Sequence, residues 1–240
     1  MVDSGPADAV GPQTAGRCAE RRSHHAMITA SARLSRLPAE ERGLTIGDFL
    51  VPIRVGERMD SRLRHVALIV AGAAFILLTA QVAIPVPGSP VPITGQTLGV
   101  LLVGGALGFR RGLASIGLYV LIGLIGLPFF AEHKGGVSVI LGATGGYIVG
   151  FLVAGSIVGR LAELGWDRTI LGALGAMAIG NVAIYVVGLP WLMVATNHDF
   201  PWAVANGLTN YVLGDVVKLI LAALAFPVAW WVVGRRAGEG

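Results

Sequence analysis

Asp215 and Lys218 are the two residues of this chain whose types and spacing point most clearly to chemistry. They lie three positions apart inside a predominantly apolar run, residues 203–233. On a helix, positions i and i+3 share one face, so the carboxylate and the ammonium group would meet. Charged groups in hydrocarbon are costly, and they usually pair with each other or meet a polar ligand. These two residues alone leave both interpretations open, a self-satisfied ion pair or a ligand site.

The composition around this pair is typical of a polytopic helical membrane protein. Hydrophobic residues make up 54% of the 240 residues and charged residues only 13%, with 35 glycines and a mean hydropathy of +0.72. A soluble domain usually carries about 25% charged residues. The net charge of +4 comes from Lys and Arg residues that occur singly or in pairs between apolar runs. Without interleaved aromatic residues this pattern excludes a nucleic-acid surface, and it favours contact with membrane lipid.

The chain divides into a polar extension, residues 1–60, and a membrane domain, residues 61–236. The extension has neither a sustained hydrophobic period nor the apolar core of a secretory signal, and we expect it to be disordered or weakly ordered. Met27 and Met59 are alternative start sites. Cys18 is the only cysteine, which excludes an intrachain disulfide and a cysteine-based metal site.

The membrane domain alternates apolar runs with breaks at proline, glycine and charged residues. A proline cluster between residues 85 and 92 ends the first run, the Arg110-Arg111 pair ends the second, and Pro128 ends the third. The second and third runs are short for the ~20 residues that a membrane span usually needs. We predict an all-α bundle of six transmembrane helices, over residues 66–84, 96–109, 112–127, 144–164, 170–194 and 203–233.

The distribution of basic residues predicts the orientation of this bundle. If the amino terminus is cytoplasmic, four loops or chain ends on the inner side carry pairs of arginines, whereas the outer side carries only Lys134. Lys and Arg in short loops concentrate on the cytoplasmic side. We therefore predict that both termini are cytoplasmic and that the chain is a multi-pass protein of the cytoplasmic membrane.

Other polar side chains are predicted to lie near Asp215 within this topology. Asp215 is about 12 residues, or about 18 Å, into the sixth span, and Tyr211 shares its face at i−4. Gln96, Thr97, Thr144, Tyr147, Asn181 and Tyr185 are the remaining polar residues in or at the mouths of spans. Gln96, Tyr147 and Asp215 would converge on one cavity suited to a small molecule. The alternative for each single residue is a hydrogen bond between helices.

Several motifs are absent from the sequence. The chain has no G-x-x-x-x-G-K-[ST] phosphate loop and no H-E-x-x-H pair, so it carries no ATP-hydrolysing motor, metal site or cofactor motif of its own. Ala67 and Ala71 form a stripe of small residues on the first span. Such a stripe serves either close approach of another protein's helix or ordinary packing within the bundle.

Several ordered motifs together resemble the BioY family, the biotin-specific substrate-binding subunits of energy-coupling factor transporters. They are Val91-Pro92-Ile93-Thr94 with Gln96-Thr97-Leu98-Gly99, Leu107-Gly108 with Arg111-Gly112, Gly126-Leu127-Pro128, Leu141-Gly142 with Thr144-Gly145-Gly146-Tyr147, and Gly214-Asp215 with Lys218. The resemblance covers residues 66–233 and implies a six-helix bundle that binds biotin. It also implies that Asp215 and Lys218 contact biotin. The implied partners are a transmembrane coupling protein, on which Ala67 and Ala71 dock, and a pair of ATP-hydrolysing subunits.

Three competing interpretations remain at this point. The chain could bind another vitamin, thiamine or riboflavin, in the same kind of transporter. It could be an intramembrane enzyme that uses Asp215 for proton transfer, or a structural bundle in which Asp215 and Lys218 only hold helices in register. The candidate substrate-binding residues are Asp215, Lys218, Gln96, Tyr147, Thr144, Tyr211 and Asn181.

Overall fold

The computed structural model describes residues 44–50 and 61–237. Within them the α-helices, numbered α1 to α8 in chain order, are Ile46–Leu50, Ser61–Ala80, Gln96–Leu124, Val137–Leu141, Gly145–Glu163, Ile170–Thr196, Phe200–Val204 and Val212–Ala237. Strands β1, Ala83–Ile84, and β2, Ile93–Thr94, pair antiparallel and close the proline-rich loop. Short 3₁₀ helices cover Ala131–His133 and Trp166–Arg168.

The predicted helical membrane class is confirmed. In the described part of the chain, five helices are long and apolar enough to cross a membrane: α2, α3, α5, α6 and α8. Helix α5 is the central one, because 61% of its most apolar stretch is buried, against 22–39% in the other four. Close backbone contact explains this position: a Cβ on Gly150 would lie 3.0 Å from the Cα of Ile184 on α6.

Helix α3 is not a straight rod, because the chain turns back on itself at Gly108. This residue has φ 77° and ψ −176°, a conformation that essentially only glycine adopts. A Cβ on Gly112 would lie 3.0 Å from the Cα of Gly104, and the side chains of Gln96 and Tyr119 hydrogen-bond at 2.5 Å. Residues 96 and 119 would be about 35 Å apart in a straight helix. The element is therefore a hairpin with arms 96–107 and 109–124.

The break between these arms was predicted at Arg110-Arg111, and its position was wrong by two residues. Both arginines belong to the second arm, while the left-handed backbone of Gly108 makes the turn. The Glu163 carboxylate accepts the Phe109 backbone N–H at 2.9 Å, which satisfies one of the free donors at the start of the second arm. We call this end of the bundle, around Gly108, the turn end.

The predicted sixth span, residues 203–233, is interrupted rather than continuous. Helix α7 passes into a π-helical turn, Ala205–Thr209, and α8 begins only at Val212. Side chains from other parts of the chain satisfy backbone carbonyls in this turn: Tyr147 donates to Gly207 at 2.9 Å and Ser89 donates to Asn206 at 2.7 Å. Asp215 consequently lies in the first turn of α8 and not in the middle of a straight helix.

Helix α1 lies inside the stretch predicted to be a disordered or weakly ordered extension. Thr45 and Ile46 are nevertheless buried against the bundle, so these residues do not follow that expectation. Residues 1–43 and 51–60, which include both alternative start sites and Cys18, lie outside the described residues.

Candidate functional site

A cavity of about 340 Å³ lies between the hairpin, α5, α6, α8 and the loop that follows α3. Its size is within the range of small-molecule pockets. Six of the seven predicted binding residues line it: Gln96, Thr144, Tyr147, Tyr211, Asp215 and Lys218. The opening lies beside Lys134, which lines the cavity and has a side chain that is 62% exposed. We call this end of the bundle the cavity end.

Asp215 is held in place by groups from two helices. Its residue is only 4% exposed. Oδ2 accepts hydrogen bonds from Nδ2 of Asn181, at 3.2 Å, and from the hydroxyl of Tyr185. Asn181 and Tyr185 are four residues apart on α6, so one face of that helix supplies both donors. Oδ1 accepts only from Lys218 among the described residues, and this oxygen is the one best placed for a ligand.

Lys218 connects Asp215 to the hairpin. Its Nζ lies 3.2 Å from Oδ1 of Asp215 and 3.1 Å from Oγ1 of Thr97. An ammonium group has three donors, so one more hydrogen bond is available to a ligand in the cavity. The ion pair and the ligand site are thus not alternatives, because the pair itself forms part of the cavity wall.

Gln96 is fixed in orientation on the first arm of the hairpin. Its Nε2 donates to the hydroxyl of Tyr119, and its Oε1 accepts from Oγ1 of Thr94 at 3.1 Å. These two bonds use one amide proton of Nε2 and one lone pair of Oε1, so each atom can make one more hydrogen bond. Gln96 therefore offers both a donor and an acceptor to a polar ligand.

The two predicted tyrosines shape the cavity more than they offer hydrogen bonds to it. Tyr147 donates to the Gly207 carbonyl, and Tyr211 donates to the carbonyl of Val91. The rings of Tyr147 and Tyr185 pack edge to face, with centroids 6.1 Å apart. Because both hydroxyls donate to backbone carbonyls, a ligand in the cavity would contact the aromatic rings of these tyrosines rather than their hydroxyls.

Thr144 and Asn181 have smaller parts in the site. The Thr144 hydroxyl donates to the Val139 carbonyl at 3.4 Å, which fixes the loop that leads into α5. Asn181 is not among the residues that line the cavity. Its effect on a ligand can only pass through Asp215.

Sequence reasoning noted Tyr185 and Thr97 as polar residues within spans but did not place them in the site. Tyr185 had a usable signal, since it lies at i+4 from Asn181 and follows the same helix face. Phe130, Glu132 and Lys134 lie in the loop between the third and fourth predicted spans, where no site residue was predicted, and the structure brings all three to the cavity. Nothing local in the sequence indicates that this loop folds back over the spans.

The predicted docking residues do not line the cavity and lie on the surface of the bundle. Ala67 and Ala71 are exposed on α2, in line with exposed Leu63, Val66 and Val70. Packing within the bundle, the alternative interpretation of this stripe, does not account for them in this chain. The surface that these residues form is apolar.

Comparisons with known proteins agree with one another. The family model described as the BioY family matches residues 54–235. "Biotin transporter BioY" from Thermotoga maritima is 37% identical over 157 residues, which cover 65% of this chain and 91% of the relative. "Biotin transporter BioY2" from Lactococcus lactis subsp. cremoris is 35% identical over 165 residues, with 69% and 89% covered.

A solved structure also matches. The crystal structure of "the S-component for biotin from an ECF-type ABC transporter" superposes with a TM-score of 0.65 at 28% identity. The match covers 76% of this chain and 96% of that one. Similarity therefore extends over nearly the whole of the related protein.

Proposed function

Because the chain belongs to the BioY family, we propose that it is the biotin-binding subunit of an energy-coupling factor transporter and that it binds biotin in the cavity beside Asp215. The observation that carries this proposal is the buried Asp215 carboxylate, which two donors from α6 and one from Lys218 hold at the cavity wall. The chain is a multi-pass protein of the cytoplasmic membrane, and its function is biotin uptake.

The chemistry of biotin suits the polar groups of this wall. Its ureido ring has two N–H donors and one carbonyl acceptor, and its valerate chain ends in a carboxylate. Asp215 Oδ1 is the acceptor for a ureido N–H, and a charge-assisted bond of this kind is stronger than a neutral one. Lys218 suits the ureido carbonyl or the carboxylate, and it holds Asp215 in place in the absence of ligand. Gln96 adds a donor and an acceptor.

The rest of the lining suits the apolar parts of biotin. Phe130, Phe151 and the ring of Tyr147 border the cavity. Lys134 stands at the opening and pairs with Glu132 at 2.5 Å. We assign the bicyclic ring to the aromatic interior, beside Asp215, and the carboxylate end to the opening, where Lys134 is close to solvent.

A panel of vitamins tests the choice of ligand. A ligand that binds only the folded state raises the melting temperature Tm, by an amount that increases with its concentration over Kd. We expect biotin to raise the Tm of the purified protein, and thiamine and riboflavin to leave it unchanged. A rise with thiamine or riboflavin alone would assign the site to another vitamin, and no rise with any of the three would favour a purely structural bundle.

We propose that the chain crosses the membrane six times, with both termini in the cytoplasm. The hairpin geometry at Gly108 supports this count, because each arm of α3 then counts as one crossing. The arginines near the turn end support the orientation. In a Cys18→Ser background, a cysteine at His133 should react with a membrane-impermeant maleimide in intact cells. A cysteine at Arg160 should react only after the cells are opened, and the reverse pattern would overturn the orientation.

We assign the exposed Ala67 and Ala71 to docking on a transmembrane coupling protein, which in turn binds an ATPase pair. Small residues let a partner helix approach closely. Ala71→Trp should abolish co-purification with the energizing module and leave biotin binding intact. Ala225→Trp is the matched control, since Ala225 is an exposed alanine on α8. Equal loss in both variants would point to misfolding rather than to a docking surface.

The proposed role is binding and not catalysis. Asp215 is pinned by three donors, and a proton-transfer group would need a second catalytic partner within reach of a substrate. We therefore expect no chemical change in bound biotin. Recovery of the intact vitamin from the purified complex is the measurement that checks it.

A further inference from the structure

Residues 44–50 form an ordered segment that lies outside the residues matched by the family model, 54–235. The segment begins with hydrogen bonds from Thr45 to the Asp48 side chain. The Thr45 backbone N–H and hydroxyl both donate to Oδ2 of Asp48, at 3.0 and 3.2 Å. Asp48 is three positions after Thr45, and its carboxylate accepts the Thr45 N–H as the acidic residue of a capping box does at the start of many helices. A defined local structure of this kind is not expected of a loose tail.

The segment packs on the turn end of the hairpin. A Cβ added to Gly47 would lie 2.9 Å from a methyl group of Leu107 and 3.0 Å from the Ala106 carbonyl oxygen. The Thr45 methyl group occupies the space beside Gly108. Thr45 is 2% exposed and Ile46 is 5% exposed. The segment thus covers the one turn in the hairpin that only glycine can make.

Charged and aromatic contacts extend the segment to two further helices. Oδ1 of Asp48 lies 2.6 Å from Arg111 on the second arm and 3.6 Å from Arg64 on α2. Phe49 packs edge to face on Trp230 of α8, with ring centroids 5.8 Å apart. Trp230 in turn donates to the buried Asp167 carboxylate at 2.7 Å. Seven residues therefore touch α2, α3 and α8.

The contacts of Asp48 are those of an ionised carboxylate. Burial pushes the pKa of Asp48 upward, but the hydrogen bonds from Thr45 and Arg111, with the charge of Arg111, outweigh burial and hold that pKa below its ordinary value. The side chains of Asp48 and Arg111 are 16% and 19% exposed. Removing one partner from a pair that is shielded to this degree destabilises the fold more than removing one partner from an exposed surface pair.

We propose that residues 44–50 are a strap that fastens the turn ends of α2, α3 and α8 to one another. The strap restrains the amino end of α2 through Arg64. That helix carries the exposed Ala67 and Ala71, so the strap sets the orientation in which the docking helix is presented to the coupling protein. Only this last consequence rests on the proposed function.

Asp48→Asn tests the strap in the full-length protein without biotin. Asparagine retains the shape of the side chain but not its charge on Arg111 and Arg64. We expect Tm to fall by about 3–6 °C, as the loss of the charge-assisted hydrogen bond between Arg111 and Asp48 implies. The control is Asp199→Asn, because Asp199 caps α7 through the Trp202 N–H and asparagine caps equally well. An unchanged Tm in Asp48→Asn, or an equal fall in the control, would overturn the proposal.

A double-mutant cycle shows whether the effect comes from the pair. Arg111→Gln should lower Tm on its own, and the two changes together should cost clearly less than the sum of the separate losses. Additive losses would mean that Asp48 and Arg111 do not interact. If Asp48→Asn cannot be purified folded, Phe49→Leu serves instead, with an expected fall of about 1–3 °C from the lost contact with Trp230.

Hydrogen–deuterium exchange tests the restraint on α2. In Asp48→Asn, amides of residues 62–68 should exchange at least threefold faster, while those of residues 212–220, beside the cavity, should keep their rate. Unchanged exchange at residues 62–68 would show that the strap does not restrain α2. These measurements need no biotin. A negative result in them would contradict the strap but not the biotin site, and a failure of biotin to bind would contradict the biotin site but not the strap.

Discussion

The two ends of this bundle each contain a shielded acid–base group, and the two groups are built differently. At the cavity end, Asp215 and Lys218 are three residues apart on one helix and border an open cavity. At the turn end, Asp48 and Arg111 are 63 residues apart in sequence and join separate elements. The first arrangement leaves charges accessible to a ligand, whereas the second uses charge to hold chain segments together.

This difference teaches that burial and pairing alone do not distinguish a ligand site from a structural crosslink. What distinguishes them is the remaining hydrogen-bonding capacity of each group. Oδ1 of Asp215 and one proton of Lys218 are available to the cavity, whereas both oxygens of Asp48 are engaged by Thr45, Arg111 and Arg64. We therefore expect changes at the cavity end to alter biotin affinity and changes at the turn end to alter Tm.

The largest expected effect comes from removing either charge at the cavity end. Asp215→Asn and Lys218→Met should each weaken biotin binding by about 100-fold or more, because loss of one partner from a buried charged contact costs several kcal/mol. Both variants should stay folded, because Asn181 and Tyr185 still hydrogen-bond to the side chain at position 215. Isothermal titration of the purified variants measures this. Wild-type affinity in both variants would mean that Asp215 and Lys218 form a structural ion pair and that the two ends of the bundle do not differ in function.

A smaller effect, on stability alone, is expected at the turn end from Gly108→Ala. An alanine at φ 77° and ψ −176° is strained, and its Cβ would lie 2.9 Å from both Glu163 and Thr45. We expect a loss of about 2 kcal/mol, or about 4–8 °C in Tm, with Kd for biotin within twofold. Gly117→Ala is the matched control, because a Cβ there meets nothing within 4 Å and the residue is helical. It should leave Tm equal or slightly higher.

Tyr185→Phe sharpens the comparison by removing one hydroxyl from behind the site. The hydroxyl donates to Oδ2 of Asp215, so its loss frees the carboxylate to rotate without removing any charge. Hydrogen bonds to charged groups contribute about 1.5–3 kcal/mol, and we expect biotin affinity to fall by about tenfold. Tyr147→Phe, which loses only a bond to a backbone carbonyl, should fall less. The opposite order would mean that Asp215 does not need Tyr185 for its position.

The smallest expected effect concerns Asp167, which lies at the turn end outside the membrane spans. Burial raises the pKa of Asp167 to about 6, against the hydrogen bond from Trp230 and the charge of Arg168. A raised pKa means that the ionised form destabilises the fold, fully above pH 6 and progressively less as pH falls toward 4.

Asp167→Asn retains an acceptor for the Trp230 N–H and removes the charge. It should raise Tm by about 2–4 °C at pH 7.5, and the difference from wild type should shrink steadily between pH 6 and pH 4. A Tm series over that pH range measures this, with biotin affinity unchanged. A lower Tm for the variant at pH 7.5 would mean that the attraction of the Arg168 charge for ionised Asp167 outweighs burial.

The sequence predicted the parts of this molecule that depend on local pattern. The apolar runs predicted the helices. Six of the seven candidate residues line one cavity, because they lie on helix faces or at the ends of spans, and the hydrophobic periodicity of the sequence indicates both. The i+4 spacing of Tyr185 from Asn181 placed the two residues on one helix face, but their contact with Asp215 could not be predicted, because it requires knowing that α6 lies beside α8. Likewise, the π-helical turn depends on Tyr147 and Ser89, which reach it from elsewhere in the chain.

Two further differences from the predicted fold have separate physical origins. The hairpin turns at Gly108 and not at the arginines, because a left-handed backbone conformation, and not charge, reverses a helix within one residue. The strap escaped prediction because Ile46 and Phe49 are too few to form a hydrophobic period. Its order comes from Arg64, Arg111 and Trp230, which lie far away in sequence.

The turn at Gly108 also bears on how the chain enters the bilayer during synthesis. Its arms, 12 and 16 residues long by their bounds at 96–107 and 109–124, extend about 18 and 24 Å, less than the ~30 Å hydrocarbon thickness. Neither arm is long enough to leave the translocation machinery as an independent span. We expect the two arms to insert together as one unit, with the side chains of Gln96 and Tyr119 hydrogen-bonded to each other while the arms enter the bilayer.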